Sequence, residues 1–453
     1  MAPQFAVDGK LRAALLSLYP ALDKSAGYWR LTHYLLWPIQ VTPEGLPVIT
    51  RKRLAQLFGE ARKLRNNHFT AWKSLEDFKR DILPAFQYSQ WNCPEGRARV
   101  VLADGLDPVA RQHQRCFERR LAAGERVDLV TIDTGERLNA HHKAARRKEL
   151  QARAMERVYE SHRNIVMYQN KLDPQIFGKK VKANLQETVA ALVMEPESAR
   201  KRQALGQLVS ILAEPKPFIS AVDNSDRAFS LQPSLLTVQG NVRRNLTKGW
   251  CEYDLRSAQF AIIAKLWDVP ELQTFLRSGE SLWEYLFREL GVDKSYKPAL
   301  KVAIYAVAFG GSERNVRARL ATETVDRELA KRFLRLPLID VVLRARNLRI
   351  SAALAARQVT TIFRTQIPVR SHQDARSALA RQVQAIEVAL IKPIYDLAAT
   401  TKRFQVVLYQ FDGVTISYRH GAQMKWEKKI KEVVESKARE LGIITELEGP
   451  KNE

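Results

Sequence analysis

The stretch GWCEYDLRSAQFAIIAKLW, residues 249–267, joins a strand-like run to a helix-like run, and an aspartate lies where the two meet. Residues 250–253 form a short run typical of a β-strand. The apolar residues from 260 to 267 recur instead at helical spacing. Because a buried carboxylate is costly unless it is paired or bound to a cation, Asp254 is the first candidate for a functional residue.

A second aspartate lies between two apolar runs near the C-terminus. The segment FQVVLYQFDGVTISY, residues 404–418, has a β-rich run on each side of Asp412-Gly413, which predicts a hairpin with an Asp-Gly turn. Alone, Asp412 would be an ordinary turn residue. Together with Asp254 it predicts two carboxylates at strand ends, and converging carboxylates suit Mg²⁺. A pair of such ions can activate an attacking hydroxyl and stabilise a leaving phosphate oxygen.

The segment KPALKVAIYAVAFGG, residues 297–311, predicts a helix between the two aspartates, with Gly310-Gly311 at its end. Every fourth residue shares one face of this helix, and these residues are Lys297, Lys301, Tyr305 and Phe309. Two cations and two rings on one face suit a nucleoside triphosphate. The alternative is a core helix with solvated lysines, and the two aspartates favour the functional interpretation.

The composition favours a polyanionic partner. Lys and Arg number 73 against 49 Asp and Glu, which gives a net charge of +24 and a pI near 10.0. Nucleic acid is the leading partner, and an anionic membrane surface is second. The sequence has no apolar window long enough to span a membrane and no secretory signal. Its three cysteines fit a reducing compartment. Of the two partners we expect nucleic acid, and we expect a cytoplasmic protein that does not bind membranes and is a monomer.

The chain also shows a coarse organisation. Residues 1–130 interleave aromatic and basic residues, which suits either a nucleic-acid surface or an amphipathic helical domain with a solvated basic face. Residues 93–108 are expected to be a loop-rich connection. Residues 139–213 are expected to be helical almost throughout, with an interruption at Pro174 and Gly178, and residues 261–357 are expected to be helical again.

Several segments, in the same order along the chain, resemble the motifs of family A DNA polymerases, those related to bacterial DNA polymerase I. Residues 254–287 resemble motif A, and residues 297–311 resemble motif B, the fingers helix. QFDGV at 410–414 resembles motif C. RAFSLQPSLLTV at 227–238 resembles the family's Arg-x-Ser-Ser-x-x-Pro-Asn-Leu segment. TIFRTQIP and VQAIEVALIK, at 361–368 and 383–392, resemble the stretches between motifs B and C. The resemblance covers about residues 215–453.

The resemblance implies a mixed α/β fold with the palm, fingers and helical thumb of a right-hand polymerase, preceded by a mostly helical N-terminal domain. The implied divisions are an accessory domain at 1–130, a thumb at 131–214, a first palm part at 215–260, fingers at 261–370 and a second palm part at 371–453.

It also implies roles for individual residues. Asp254 and Asp412 would bind two Mg²⁺ ions, for which Mn²⁺ could substitute, with the main-chain carbonyl of Leu255 as a further ligand. The incoming nucleotide would contact residues of the helix face: Lys297 and Lys301 at the triphosphate, Tyr305 at the sugar and Phe309 at the nascent base pair. Arg227 and Gln384 would contact the minor groove of the primer-template.

The chain departs from the family pattern near these residues. Lys297 replaces Arg, which keeps the charge but loses the bidentate fork. Phe411 and Gly413 replace the His and Glu beside the motif C aspartate, and Arg256 replaces a Ser of motif A. Gln259 stands where the family has a Glu beside the 2′ carbon of the sugar. Because an amide can hydrogen-bond a 2′-hydroxyl, selection between deoxyribose and ribose stays open.

The expected protein is a compact family A DNA polymerase of phage or plasmid type that extends primed DNA with dNTPs by two-metal phosphoryl transfer. IDTGE at 132–136 resembles the first acidic motif of a proofreading exonuclease only loosely, and too few residues follow for that domain. We therefore expect no proofreading. One alternative is a primer-synthesising, RNA-making or RNA-copying polymerase that uses NTPs or an RNA template. Another is a nucleic-acid-binding protein without catalysis.

Overall fold

The computed structural model describes residues 5–42, 46–59, 71–93, 96–223, 225–308, 311–324 and 326–450. The chain divides into two compact units. Unit 1 comprises Met1–Ala152, Asp173–Phe218 and Ser230–Lys248. Unit 2 comprises Arg153–Leu172, Ile219–Phe229 and Gly249–Glu453. The segment predicted as a thumb, 131–214, therefore contributes residues to both units.

Unit 1 is built mainly from helices: Gly9–Leu18, Ala26–Leu36, Arg51–Leu57, Ala71–Asp81, Pro108–Ala122, Ala140–Met155 (in unit 1 as far as Ala152), Pro174–Met194, Ala199–Ala213 and Gly240–Leu246. The aromatic residues of the second helix are core residues, since Trp29 and Tyr34 are fully buried. The ring of Trp37, which follows that helix, packs edge-on against Phe117. The aromatic rings of the helix Ala26–Leu36 and of Trp37 thus lie in the interior of unit 1, where bases cannot stack on them.

Unit 1 also contains strands. Strand β1 (Ala6–Asp8) pairs with β5 (Leu129–Thr131), and β2 (Val48–Thr50), β4 (Gly96–Ala103) and β3 (Gln87–Cys93) form an antiparallel sheet in that order. The prediction of a loop-rich connection at 93–108 is wrong for β4. Alternate residues Ala98 and Val100 are buried against Val48 of the neighbouring strand, and this period of two is the pattern of a half-buried strand.

Unit 2 surrounds a four-stranded antiparallel sheet, called here the site sheet, with the strand order β11 (Phe404–Tyr409), β12 (Gly413–Tyr418), β8 (Cys251–Leu255) and β13 (Leu447–Glu448). Two short pairs accompany it, β6 (Ile219–Ala221) with β7 (Ala228–Ser230) and β9 (Gln358–Thr360) with β10 (Gln366–Pro368). The helices are Arg163–Lys171, Ala258–Leu266, Pro270–Arg277, Leu282–Leu290, Lys297–Ala308, Glu313–Thr324, Arg327–Arg335, Pro337–Ala356, His372–Ala399 and Gln423–Leu441.

This inventory confirms the mixed α/β class predicted from the sequence. In unit 2 a strand of the site sheet is followed by a long helical segment and then by two further strands of the same sheet. That order is the one required by a palm sheet interrupted by helical fingers. None of the described helices is long and apolar enough to cross a membrane.

The two predicted helical regions are confirmed, with one correction. Residues 139–213 are helical except for short connections, and helices occupy most of 261–357. Pro174 and Gly178 do not both interrupt the first region. Pro174 begins a helix whose N-cap, Asp173, accepts a hydrogen bond from the main chain of Gln175, and a proline is tolerated at that position. Gly178 lies inside the same helix.

Polar side chains of the helix Arg163–Lys171 complete the hydrogen bonding of β11, the edge strand of the site sheet. The Tyr168 hydroxyl accepts a hydrogen bond from the N–H of Val406, at 3.3 Å, and Gln169 Nε2 donates to the carbonyl of Val406, at 2.7 Å. The pairing of β11 with β12 is irregular next to this residue. The helix therefore covers main-chain groups that an edge strand would otherwise leave unpaired.

Candidate active site

The pairing of β8 with β12 brings the two predicted aspartates to the same end of the site sheet. Asp254 lies opposite Gly413, the residue after Asp412, in the antiparallel register. The N–H of Leu255 donates to the main-chain carbonyl of Asp412, at 2.9 Å. Both aspartates are partly exposed, whereas Leu255 and Gly413 are buried. The two aspartates, distant in sequence, are thus neighbours at one end of the site sheet, as the strand-end argument predicted.

The turn that carries Asp412 differs from the predicted Asp-Gly hairpin. Gly413 belongs to strand β12, and the turn is formed by the residues before it, with the Gln410 N–H donating to the Gly413 carbonyl at 2.9 Å. The residue with positive φ is Phe411, at 69°. A bulky residue in this region is strained. Its ring packs against those of Phe229 and Tyr409, with centroids 5.2 Å and 5.8 Å away, and these contacts hold it there.

The connection from Asp254 to the next helix is short and also carries a residue with positive φ. Strand β8 ends at Leu255, the helix begins at Ala258, and Ser257 between them has φ 48°. Arg256 turns away toward β13, where its guanidinium donates to Glu446 at 2.8 Å. Strain stored in a connection of this kind is common at functional sites. The predicted change from strand to helix just after Asp254 is confirmed.

A hydrogen-bonded chain of side chains connects Asp412 to the interior of unit 2. Gln259 Nε2 donates to Asp412 Oδ2 at 3.1 Å and to Glu387 Oε1 at 2.8 Å. The other oxygen of Glu387 accepts from Arg227 Nε at 2.8 Å and from Arg227 Nη2 at 2.5 Å. Two predicted site residues, Gln259 and Arg227, are thus joined by a carboxylate that the sequence did not single out.

Glu387 is fully buried on the helix His372–Ala399. Burial raises the pKa of its carboxyl to about 7, Arg227 opposes that rise, and the negative charge of Asp412 adds to it. The available sequence signal was a glutamate in the otherwise apolar run AIEVALI, residues 385–391. A charged residue in such a run needs a partner, and here the partners are Arg227 and Gln259.

Arg227 and Gln384, the residues predicted to contact the primer-template, lie in the same network. The Arg227 guanidinium is 4.7 Å from the centroid of the Phe411 ring, a cation–π geometry. Its main-chain N–H donates to the Ser225 hydroxyl at 3.1 Å, and that hydroxyl donates to Gln384 Oε1 at 2.8 Å. Any role of these two residues at a nucleic-acid groove stays a prediction.

The helix predicted at 297–311 is present over Lys297–Ala308, and its role in nucleotide binding stays a prediction. Burial, followed by the charges of Asp412 and Asp254, raises the pKa of the Tyr305 hydroxyl, so both carboxylates lie within electrostatic range of it. Lys301 is exposed, with Nζ 5.5 Å from the centroid of the Tyr305 ring. Lys297 Nζ lies over Trp283 instead, at 5.1 Å. Phe309 lies outside the described residues.

The donor set suits a hard cation that keeps water or substrate ligands. Within the described ranges there is no group of three or more His, Cys, Asp or Glu side chains placed to hold a metal ion. The site therefore offers two partly exposed carboxylates, those of Asp254 and Asp412. Mg²⁺ is commonly bound through one or two carboxylates together with the phosphates of a substrate, so these residues fit it. The carbonyl of Leu255 as an additional ligand stays a prediction.

No protein-family model matches the chain, and no curated protein matches it. Among solved structures it is similar to the POL domain of Pol1 from M. smegmatis, in complex with DNA primer-template and dNTP. The two share 14% sequence identity at a TM-score of 0.46, and the match covers 93% of this chain and 80% of that chain.

Proposed function

We propose that the chain is a template-directed DNA polymerase that adds deoxynucleotides to the 3′-hydroxyl of a primer and does not proofread. The observation that carries this proposal is the strand pairing that brings Asp254 and Asp412 to one end of the site sheet. The resemblance of the surrounding segments to the polymerase motifs supports it. So does the net charge of +24, since a polymerase must hold a polyanion.

The proposed chemistry is phosphoryl transfer by positioning and charge neutralisation. Asp254 and Asp412 would hold two Mg²⁺ ions, which when bound activate the attacking hydroxyl and stabilise the leaving oxygen. Lys301 is exposed and would neutralise part of the triphosphate charge. A tyrosine hydroxyl is protonated at neutral pH, and the raised pKa of Tyr305 keeps it so, which means that its uncharged ring would pack beside the sugar. In such reactions alignment and electrostatics supply most of the catalysis.

The sugar specificity has a second candidate, a polymerase that also accepts ribonucleotides. Gln259 Nε2 carries two hydrogens, and the two carboxylates of Glu387 and Asp412 accept from it. The amide oxygen therefore points away from both carboxylates and can accept a hydrogen bond from a 2′-hydroxyl. If Gln259 lies beside the sugar, this amide oxygen supports the second candidate, a primer-making, RNA-making or RNA-copying enzyme with relaxed sugar selection.

The test is primer extension on a DNA template with Mg²⁺, with dNTPs and NTPs supplied separately. Asp412→Ala and Asp254→Ala should each abolish extension while the protein stays folded by circular dichroism. Asp396→Ala is the matched control, because Asp396 is an exposed carboxylate on the helix that carries Glu387. It should extend primers as the unaltered protein does.

The outcomes separate the candidates. Extension with dNTPs alone supports the DNA polymerase. Equal use of NTPs, or synthesis without a primer, favours the primer-making alternative, and an assay with an RNA template tests RNA copying. Tight binding of primed DNA without extension by the unaltered protein would overturn the proposal and favour a binding protein without catalysis.

A further inference from the structure

A buried carboxylate and a buried amide face each other behind the predicted metal ligand Asp412. Glu387 is fully buried and Gln259 is 7% exposed. They come from different helices, His372–Ala399 and Ala258–Leu266, and Glu387 Oε1 lies 2.8 Å from Gln259 Nε2. The role already proposed for Gln259 does not explain why a glutamate is buried beside it.

The contact determines which end of the Gln259 amide faces Asp412. Oxygen and nitrogen of an amide are distinguished by their hydrogen-bond partners. With Glu387 ionised, as its two hydrogen bonds from Arg227 favour, an amide rotated by half a turn would point its oxygen at the carboxylates of both Glu387 and Asp412, and three acceptors would meet without a hydrogen between them. Only one orientation satisfies the pair, and in that orientation the amino end donates to Asp412 at 3.1 Å.

Arg227 holds the carboxylate of Glu387 from its other side. Arg227 Nε and Nη2 both donate to Glu387 Oε2, which leaves Oε1 for Gln259. The Arg227 guanidinium also lies over the ring of Phe411, the residue that precedes Asp412. Glu387 therefore binds two side chains that contact the turn at residues 410–412. The Gln259 amide contacts Asp412, and the Arg227 guanidinium contacts Phe411.

We propose that Glu387 is a positioning residue: it fixes the Gln259 amide so that its amino end orients the carboxylate of Asp412 for a divalent cation. This inference rests on the proposed function in two respects: Asp412 is taken as a cation ligand, and primer extension is one of the measurements. Groups that hydrogen-bond a metal-ligating side chain commonly change metal affinity by about 10- to 100-fold when they are altered.

Replacement of Glu387 by Gln reverses the polarity of the contact with little change of shape. The new amide accepts from Arg227 through its oxygen and presents its amino end to Gln259. Gln259 must then turn its oxygen toward residue 387, and the hydrogen bond to Asp412 is lost. We expect the Mg²⁺ concentration for half-maximal extension to rise about tenfold, with a smaller change in the KM for dNTP. Glu432→Gln, at an exposed carboxylate of the helix Gln423–Leu441, is the matched control.

A reciprocal exchange tests the pair without reliance on activity. Gln259→Glu places a carboxylate against Glu387 and Asp412 and should lower the melting temperature measured without metal. Adding Glu387→Gln places an amide donor at residue 387 opposite the new carboxylate at residue 259. The double variant should therefore melt at a higher temperature than the Gln259→Glu single variant. This rescue is a coupling between two residues in contact, which a double-mutant cycle isolates.

The outcomes also separate this inference from the proposed function. Rescue of the melting temperature, together with a smaller Mg²⁺-induced rise of that temperature in Glu387→Gln than in Glu432→Gln, supports the positioning role even if the protein extends no primer. A double variant less stable than both single variants, or an unchanged Mg²⁺ response in Glu387→Gln, would overturn it. Extension by the unaltered protein tests the polymerase proposal alone.

Discussion

Asp254 lies directly opposite Gly413, and the two are so close that a Cβ atom on residue 413 would be 2.8 Å from Asp254 Oδ1. The same atom would lie 2.5 Å from the main-chain oxygen of Tyr253. Residue 413 is therefore limited to glycine by close approach, since Gly413 lies in a strand and has no positive φ. Because residue 413 has no side chain, the carboxylate of Asp254, a predicted metal ligand, can occupy the space at the end of the sheet.

Gly413→Ala should displace Asp254 and weaken the pairing of β8 with β12. The clash involves main-chain atoms, so the strands must shift, and we expect a loss of about 1–3 kcal/mol in the free energy of unfolding. Extension should fall by a larger factor than stability explains. Urea unfolding and primer extension measure the two effects. Gly178→Ala is the control: a Cβ there meets nothing within 4 Å, and alanine should slightly stabilise its helix. Equal activity of both variants would show that the close approach is unimportant.

Tyr305→Phe should separate the hydroxyl of Tyr305 from its ring. The hydroxyl stays protonated near two carboxylates, and its removal should cost about 1.5 kcal/mol of binding or activation energy, roughly a tenfold loss. Tyr305→Ala should be more damaging because Lys301 then loses the ring beside its ammonium group. Single-turnover extension at several dNTP concentrations measures both. Identical defects in the two variants would place the whole contribution in the hydroxyl.

Lys301→Met should raise the KM for dNTP by about 10- to 150-fold, because a hydrogen bond from a cation to the triphosphate contributes about 1.5–3 kcal/mol. Methionine keeps most of the apolar stem and removes only the charge. Lys297→Met should have a smaller effect, since Lys297 lies over Trp283 rather than beside Tyr305. Steady-state extension with varied dNTP decides between them. A larger effect at Lys297 would mean that the triphosphate lies toward the start of the helix.

The sequence predicted those parts of the site in which a residue's structure follows from its own segment of the chain. The strand-to-helix change at Asp254 and the helix that begins at Lys297 are local patterns, and both were predicted. The position of Phe411 was not. An Asp-Gly pair normally places the glycine in the turn, but here glycine is needed in the strand opposite Asp254, so a phenylalanine takes the positive φ.

Glu387 was missed for a related reason. Its partners, Gln259 and Arg227, lie 128 and 160 residues away in the chain, and no local pattern contains them. Sequence reasoning could mark a glutamate in an apolar helix as one that needs a partner, but only the fold identifies the partner. Hydrogen-bond networks between elements are thus the part of the site that a single sequence predicts least.

His33 should make unit 1 sensitive to acid. It is buried, its ring packs at a tilt against those of Phe5 and Trp37, and one ring nitrogen lies 3.2 Å from the carbonyl of Ala6. Burial, with a contribution from the charge of Arg53, lowers the pKa of its imidazole from 6.5 to about 4. The folded state therefore binds this proton more weakly than the unfolded state does.

The sign follows from that difference in pKa. Above about pH 6.5 the imidazole is neutral in both states and costs nothing. Between about pH 6.5 and 4 the unfolded state takes up the proton first, and the free energy of unfolding should fall by about 3 kcal/mol. His33→Gln cannot take up a proton, and its amide can still donate to Ala6, so its stability should fall less over this range. Urea unfolding of both proteins at several pH values measures the difference, and parallel curves would assign the acid sensitivity to other groups.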